Sequence, residues 1–450
     1  MQHDSHGLAL STASAAAAHA FDHAMAGYVT YRADAGRRLA ALLAADPEFA
    51  LAHCLKGYLA MLSYKQENIP LAAEALDEAR RWATSATLRE QAHIAALAAW
   101  VGGAPHRAAA IWEQVLADHP RDVLAFRLAH FTNFWLGRPD RMLASVRAVE
   151  PAWDDDLPYY TTLLACRCFA HEECGFYTEA EAAGRAAIAR DPGDLWAAHG
   201  VAHVLEMQGR RGEGVAWIES LQANWDDASN LRHHLWWHAA MFHLERGEID
   251  TVLSLYDTRF RDLAAPLTEA QPDLYIDVQN AASMLFRLGL QGVDVGARWD
   301  ELADKAEARI GDCLSAFTQP HWMMALAATG RGDAARRMLA ALRDAAQAEG
   351  CHAALLGRVA LPLCEAVLAC GEGAPDHAVA LMRPVLGEMY RLGGSHAQQD
   401  VLEQLYLHAA MRAGLEGDAR LLLERVAGRH PVPVPRRAGY RAAAERLGFS

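Results

Sequence analysis

FRLAHFTNFWLG at residues 126 to 137, WAAHGVAHVLEMQG at 196 to 209 and WWHAAMFHLERG at 236 to 247 share one grammar. Each is an apolar run with helical spacing that closes on a glycine, and each is followed by a short charged turn that opens another helix. Gly137, Gly209, Gly247 and Gly330 suit the left-handed position that ends a helix, because glycine carries no Cβ to clash there. Outward from these stretches, Asp46-Pro47, His119-Pro120 and Asp191-Pro192 punctuate the chain at spacings of 73 and 72 residues. That is two repeats of about 36 residues each time, the period of a helix-turn-helix array.

The expected fold is therefore all-α, a tetratricopeptide-like solenoid of about ten to eleven helical pairs wound as a right-handed superhelix. First helices are expected near 12–30, 49–64, 87–102, 122–136, 158–174, 194–208, 229–246, 273–289, 314–329, 352–371 and 395–413, with second helices between them. No alternating β pattern is evident. Residues 258–272, with Pro266 and Pro272, break the rhythm as an irregular insertion, and 431–450, opening on PVPVPRR, forms a C-terminal capping segment. Neither reads as a linker, so residues 1–450 are expected to form a single continuous domain.

Composition bounds the function. The chain has 450 residues, 52% of them hydrophobic and 22% charged, enough apolar material for a large core. Its formal charge of −14 and the lack of a basic run argue against nucleic acid or an anionic membrane as partner. No window offers the roughly 18 uninterrupted apolar residues of a membrane helix. The N-terminal stretch has no positive n-region, so no signal peptide is expected, and a cytoplasmic location follows. The eight cysteines form no CxxC pair and no zinc-finger spacing, as expected of small core residues in a reducing compartment.

Histidine is abundant, 22 in all, and a large share falls on the first helices: His53, His93, His130, His171, His199, His203, His234, His238, His321 and His408. In such stacks the first helices line the concave surface. At 100° per residue, His199, His203 and Glu206 fall within about 60° of one another, and His234 and His238 about 40° apart on the next first helix. Four imidazoles and a carboxylate suit two chemistries. They can coordinate a divalent metal such as Zn²⁺, Fe²⁺ or Mn²⁺, with His199, His203, Glu206, His234 and His238 as ligands. Equally, an imidazole oriented by Glu206 serves as general base, and a second, protonated one as acid. A buried structural network of histidines is the competing reading.

Other motifs fail on their context. HEECG at 171 to 175 lacks the second histidine of the zinc-protease pattern. GGSHA at 393 to 397 ends in Ala397 rather than glycine and follows no strand, so Ser395 reads as an N-cap. Trp236 and Trp237, flanked by histidines, are the tryptophans expected to wall a pocket.

LREQAH (88–93), WEQVLADHPRD (112–122), LAHFTNFWLG (128–137), HGVAHVLEM (199–207), WHAAMFHLERGE (237–248), SMLFRLGLQGVDVGARW (283–299), LPLC (361–364) and GGSHAQQDV (393–401) together carry a resemblance to the tetratricopeptide repeat protein 38 family over nearly the whole chain. The resemblance implies a cytosolic tetratricopeptide-like superhelix and leaves activity undefined. His53, His93, His130, His199, His203, Glu206, His234, His238, Asp277 and His321 match the family's pattern, whereas His171 and His233 depart from it.

Two functions follow. The first is a pocket for a polar small molecule, with hydrolysis by acid-base or metal chemistry; His203, Glu206, His234 and His238 would be catalytic, and His130, His199, Trp237, Asp277 and His321 would bind substrate. The second is a scaffold that binds a peptide or protein partner in its groove, alone or as a homo-oligomer. A groove that grips acidic peptide tails needs Lys or Arg on its first helices, and residues 194–208 have neither, so the first function is preferred.

Overall fold

The computed structural model describes residues 1–450. The chain forms antiparallel helix pairs, and its contacts cluster into two compact units, residues 1–201 with 220–232 and residues 202–219 with 233–450. The first unit contains α1 (Ala15–Val29), α2 (Ala35–Ala45), α3 (Ala50–Met61), α4 (Ile69–Arg81), α5 (Leu88–Val101), α6 (Pro105–Asp118), α7 (Val123–Trp135), α8 (Pro139–Val149), α9 (Tyr160–Glu173) and α10 (Tyr177–Arg190). Three helices, α11 (Leu195–Met207), α12 (Arg211–Leu221) and α13 (Leu231–Arg246), are divided between the units. The second unit continues with α14 (Ile249–Leu255), α15 (Pro266–Ala270), α16 (Tyr275–Leu290), α17 (Arg298–Ala308), α18 (Thr318–Ala328), α19 (Gly332–Ala345), α20 (Cys351–Leu355), α21 (Leu361–Gly371), α22 (Pro375–Met382), α23 (His396–Arg412), α24 (Glu416–Ala427) and α25 (Arg441–Leu447).

Local chemistry sets these boundaries. The expected turn glycines all take positive φ, 65° at Gly137, 68° at Gly209, 75° at Gly247 and 68° at Gly330. In each turn the next amide reaches back to a carbonyl five residues earlier: Arg138 to Asn133 at 2.9 Å, Arg210 to Leu205 at 2.8 Å, Glu248 to His243 at 3.0 Å and Arg331 to Leu326 at 2.9 Å. That six-to-one bond satisfies a carbonyl the helix end leaves open. At the other end, the Thr87 hydroxyl accepts from Glu90 N at 3.2 Å while the Glu90 carboxylate accepts from Thr87 N at 2.7 Å. Ser395 and Gln398 repeat this capping box at α23, so Ser395 is an N-cap.

Where α9 and α11 meet, a glycine makes room. A Cβ on Gly200 of α11 would meet the Cys168 sulfur of α9. None of the eight cysteines forms a disulfide, and five are buried, Cys166 and Cys168 among them.

Three features differ from the sequence expectation. Gln2–His3 and Ala9–Leu10 pair as a two-stranded antiparallel sheet, too short to leave an alternating pattern. The irregular 258–272 stretch contains part of a π-helical turn, Tyr256–Phe260, and the five-residue α15. Cys351–Gly371 is one continuous helix with a π turn at Leu356–Ala360, and its mean hydropathy of 1.7 meets the length and composition of a membrane span. Arg358 and Glu365 interrupt its apolar run, and Val359, Leu363, Cys364, Ala366 and Val367 are buried in the second unit, where α21 packs against α18 and α22. It has the character of a core helix.

Candidate functional site

The second unit brings four of the expected residues together. His203 and Glu206 lie on α11, one turn apart, and His234 and His238 lie one turn apart on α13. His203, His234 and His238 are buried, each at 2% exposure or less, and each offers a ligand nitrogen within 4.8 Å of the others. The imidazoles meet edge to face: ring centroids are 4.5 Å apart for His203 and His238, and 4.8 Å for His234 and His238. Trp237 stacks flat on His234 at 5.2 Å and turns its face to the edge of His238 at 4.9 Å, forming an apolar wall. Trp236 instead lies beneath Arg259, with the guanidinium 4.8 Å from its ring.

Each of two imidazoles is held from behind. Glu206 Oε2 lies 3.0 Å from His238 Nδ1, and Asn280 Oδ1 of α16 lies 2.9 Å from His234 Nδ1. The Asn280 carbonyl oxygen can only accept, so Nδ1 of His234 carries the hydrogen and its lone pair sits on Nε2. Burial keeps all three rings neutral: it holds His234 and His238 down at about 3, and His203, also beside those two rings, well below the ordinary imidazole value. Glu206 moves the other way. Burial pushes its carboxyl up to about 7, the Arg287 charge opposes this, and the Asp400 carboxylate adds to it.

Glu206 also joins this centre to a pocket. With Met207, His396, Gln399, Asp400 and Arg437 it borders a cavity of about 30 Å³, room for one or two waters. Around it stands a charged network that sequence reading did not find. Asp400 accepts from Arg437 at 2.6 Å and from Tyr440 at 2.5 Å, and Arg287 lies 3.7 Å from it. Burial raises the Asp400 carboxyl, but Arg437 and Arg287 outweigh burial and hold it at about 2. Arg287 further donates to the Ala397 carbonyl at 2.7 Å and lies over Trp237. Cations thus reach the centre from α16 and the C-terminal segment, although α11 supplies none.

The remaining candidates have neighbours of their own. Asp277 pairs with His233 at 3.2 Å rather than with His234 or His238. His321 donates Nδ1 to the Phe317 carbonyl of its own helix at 2.9 Å, and burial lowers its pKa to about 4. His130 and His199 belong to the first unit. There His199 packs on Trp196 at 4.7 Å and Phe169 at 5.1 Å, and His130 sits among Phe126, Phe169 and Trp196. His53 and His93 hold structure: His53 Nε2 bonds the Pro47 carbonyl at 2.7 Å, and His93 bridges Tyr58 and Asp122 at 3.2 and 3.1 Å.

No known family profile matches the chain. Among solved structures it is similar to the human IFIT1 dimer with m7Gppp-AAAA, at 13% identity over 89% of this chain and 90% of that one, with a TM-score of 0.40. It is similar to Naa15/Naa10 bound to HypK-THB at 11% identity over 96% of this chain and 66% of that one, TM-score 0.26. It is also similar to the P58(IPK) TPR domain at 11% identity over 96% and 98% of the two chains, TM-score 0.21. The successive helix hairpins, closed by left-handed glycines from α5 onward and by Tyr31 and Tyr64 before it, decide the class. The chain is a tetratricopeptide-like helical repeat protein. Likenesses at this level concern architecture, and what those proteins bind is theirs.

Proposed function

We propose that the second unit holds a catalytic site for a small polar molecule in a cytoplasmic member of the tetratricopeptide repeat protein 38 family, with hydrolysis as the reaction class. The observation that carries this reading is the convergence of His203, His234 and His238 on Glu206, the one member of the set that also borders the pocket. A pocket with room for one or two waters suits a water nucleophile. Glu206, in contact with that space and with His238 Nδ1, is placed to take a proton from the water and return it to the leaving group.

The polar character of the substrate is supported by two buried donors on α16. Asn280 Nδ2 and Arg287 Nε have no hydrogen-bond partner within the protein, while the other ends of both side chains are fixed at His234 and Ala397. Buried donors of this kind suit an oxygen that gains negative charge. A scaffold role fits less well, because His203, His234 and His238 are out of reach of an extended peptide.

The test is turnover of a panel of small esters, amides and phosphate esters. Glu206→Gln and His238→Ala should each lower kcat/KM at least about a hundredfold, within the range typical of a lost acid-base group, while the far-ultraviolet helical signal stays unchanged. A folded Glu206→Gln protein with full turnover overturns the reading. So does a wild-type protein that neither turns over the panel nor is stabilised by any member of it.

A further inference from the structure

We propose that His203, His234 and His238 bind a divalent first-row transition-metal ion of the zinc class within the second unit. The inference deepens the site proposed above and depends on that site's residues, though not on the reaction assigned to it.

Three observations converge. The first is geometric: three ligand nitrogens from two helices lie within 4.8 Å of one another. Metal–nitrogen bonds of about 2.0–2.1 Å in a tetrahedral site place ligand nitrogens roughly 3.4 Å apart, so small side-chain rotations complete the cage. Ligands at i and i+4 on one helix turn the same face inward, and His234 and His238 have that spacing.

The second is the outer layer. Histidines that bind metals generally give their other ring nitrogen to a carboxylate or carbonyl, which fixes the tautomer and strengthens the ligand. His238 meets the Glu206 carboxylate in this way at 3.0 Å and His234 meets the Asn280 carboxamide at 2.9 Å. In both rings Nδ1 is engaged behind, and Nε2 is the nitrogen proposed to meet the ion.

The third is donor chemistry. Neutral imidazoles with no thiolate select zinc and its neighbours over magnesium or calcium, which require oxygen ligands.

The experiment uses the full chain purified from zinc-supplemented medium. Elemental analysis should find close to one equivalent of zinc per chain. After chelation and dialysis, the protein should take up one equivalent of Co²⁺ with the intense visible absorption of a four- or five-coordinate site. His234→Ala and His238→Ala should abolish that absorption. Asn280→Ala, which leaves every ligand in place, should weaken metal affinity about 10- to 100-fold, the usual effect of losing an outer-layer partner. His321→Ala, in the same unit but bonded to its own helix, should bind metal as wild type does.

Zinc content near zero together with no cobalt absorption in folded wild-type protein overturns the proposal. Unchanged cobalt binding by folded His238→Ala overturns it as well. Should the alanine variants fail to fold, Asn280→Ala decides, since an affinity equal to wild type contradicts the arrangement. The two proposals fail separately: metal binding without turnover removes the hydrolase reading alone, and turnover by a metal-free, chelator-resistant protein removes this one alone.

Discussion

Single residues carry the sharpest contrasts between histidines. His93 stands between Tyr58 and Asp122, and Arg89 donates to the same Asp122 oxygen at 2.7 Å, with Arg89 at 4% side-chain exposure and Asp122 at 1%. Burial raises the Asp122 carboxyl, but His93 and Arg89 outweigh it and hold it well below the ordinary carboxylate range. Asp122→Asn should cost about 3–5 kcal/mol, because it leaves the Arg89 charge buried without its counter-charge. The pH sign follows from the depressed folded value. Asp122's contribution is complete above its unfolded pKa of about 3.9 and drains away as pH falls toward the lower folded value. The stability gap between wild type and Asp122→Asn in urea unfolding should therefore be full at pH 7 and narrow below about pH 4. A gap that stays constant from pH 7 to pH 3 contradicts this account. At this scale the sequence was half legible. Spacing on a helix exposed His203 with Glu206 and His234 with His238, since covalent geometry fixes those pairs. Asn280, Arg287 and Asp400 were invisible because their partners arrive from far along the chain, as in the 46-residue step from His234 to Asn280. His233, which the family pattern gave no reason to single out, turned out to hold Asp277.

Helices were the most legible level, because their ends are chosen by chemistry within a few residues. Gly137, Gly209, Gly247 and Gly330 stop helices where the grammar of the repeats placed them. Ser395→Ala removes the hydroxyl that accepts from Gln398 N and should cost about 1 kcal/mol, read as a lower Tm. Ser395→Asp keeps an acceptor and should recover most of that loss; no recovery would mean that the cap is not the source. Gly214→Ala on α12 should cost more, about 1–3 kcal/mol, because its Cβ would press into the Phe242 ring of α13. What escaped the reading lacks a periodic signal. Two-residue strands are too short to alternate, and the π turn at Leu356–Ala360 adds a residue to a helix without changing the composition around it.

At the scale of the molecule, class was legible and assembly was not. Repeats of about 36 residues and the absence of a strand pattern sufficed for an all-α hairpin array. Nothing in the composition of residues 431–440 distinguishes a passive cap from the clasp found in the second unit. There Arg437 and Tyr440 grip Asp400, the Ala438 amide donates to Glu245, and Arg211 donates to the Arg436 carbonyl. Arg437→Ala should cost about 3 kcal/mol, since it removes the countercharge of a buried carboxylate. Hydrogen exchange should show the loss as faster opening of α23, and unchanged protection there would refute the clasp.

The division of α11, α12 and α13 has a consequence for modularity. The chain passes from one unit to the other between residues 201 and 202, returns between 219 and 220, and passes again between 232 and 233. No single cut in the polypeptide, and no single breakpoint in its coding sequence, releases a complete half. Recombination that exchanged one half for a foreign counterpart would tear three helices at once, so the two halves are bound to be inherited together.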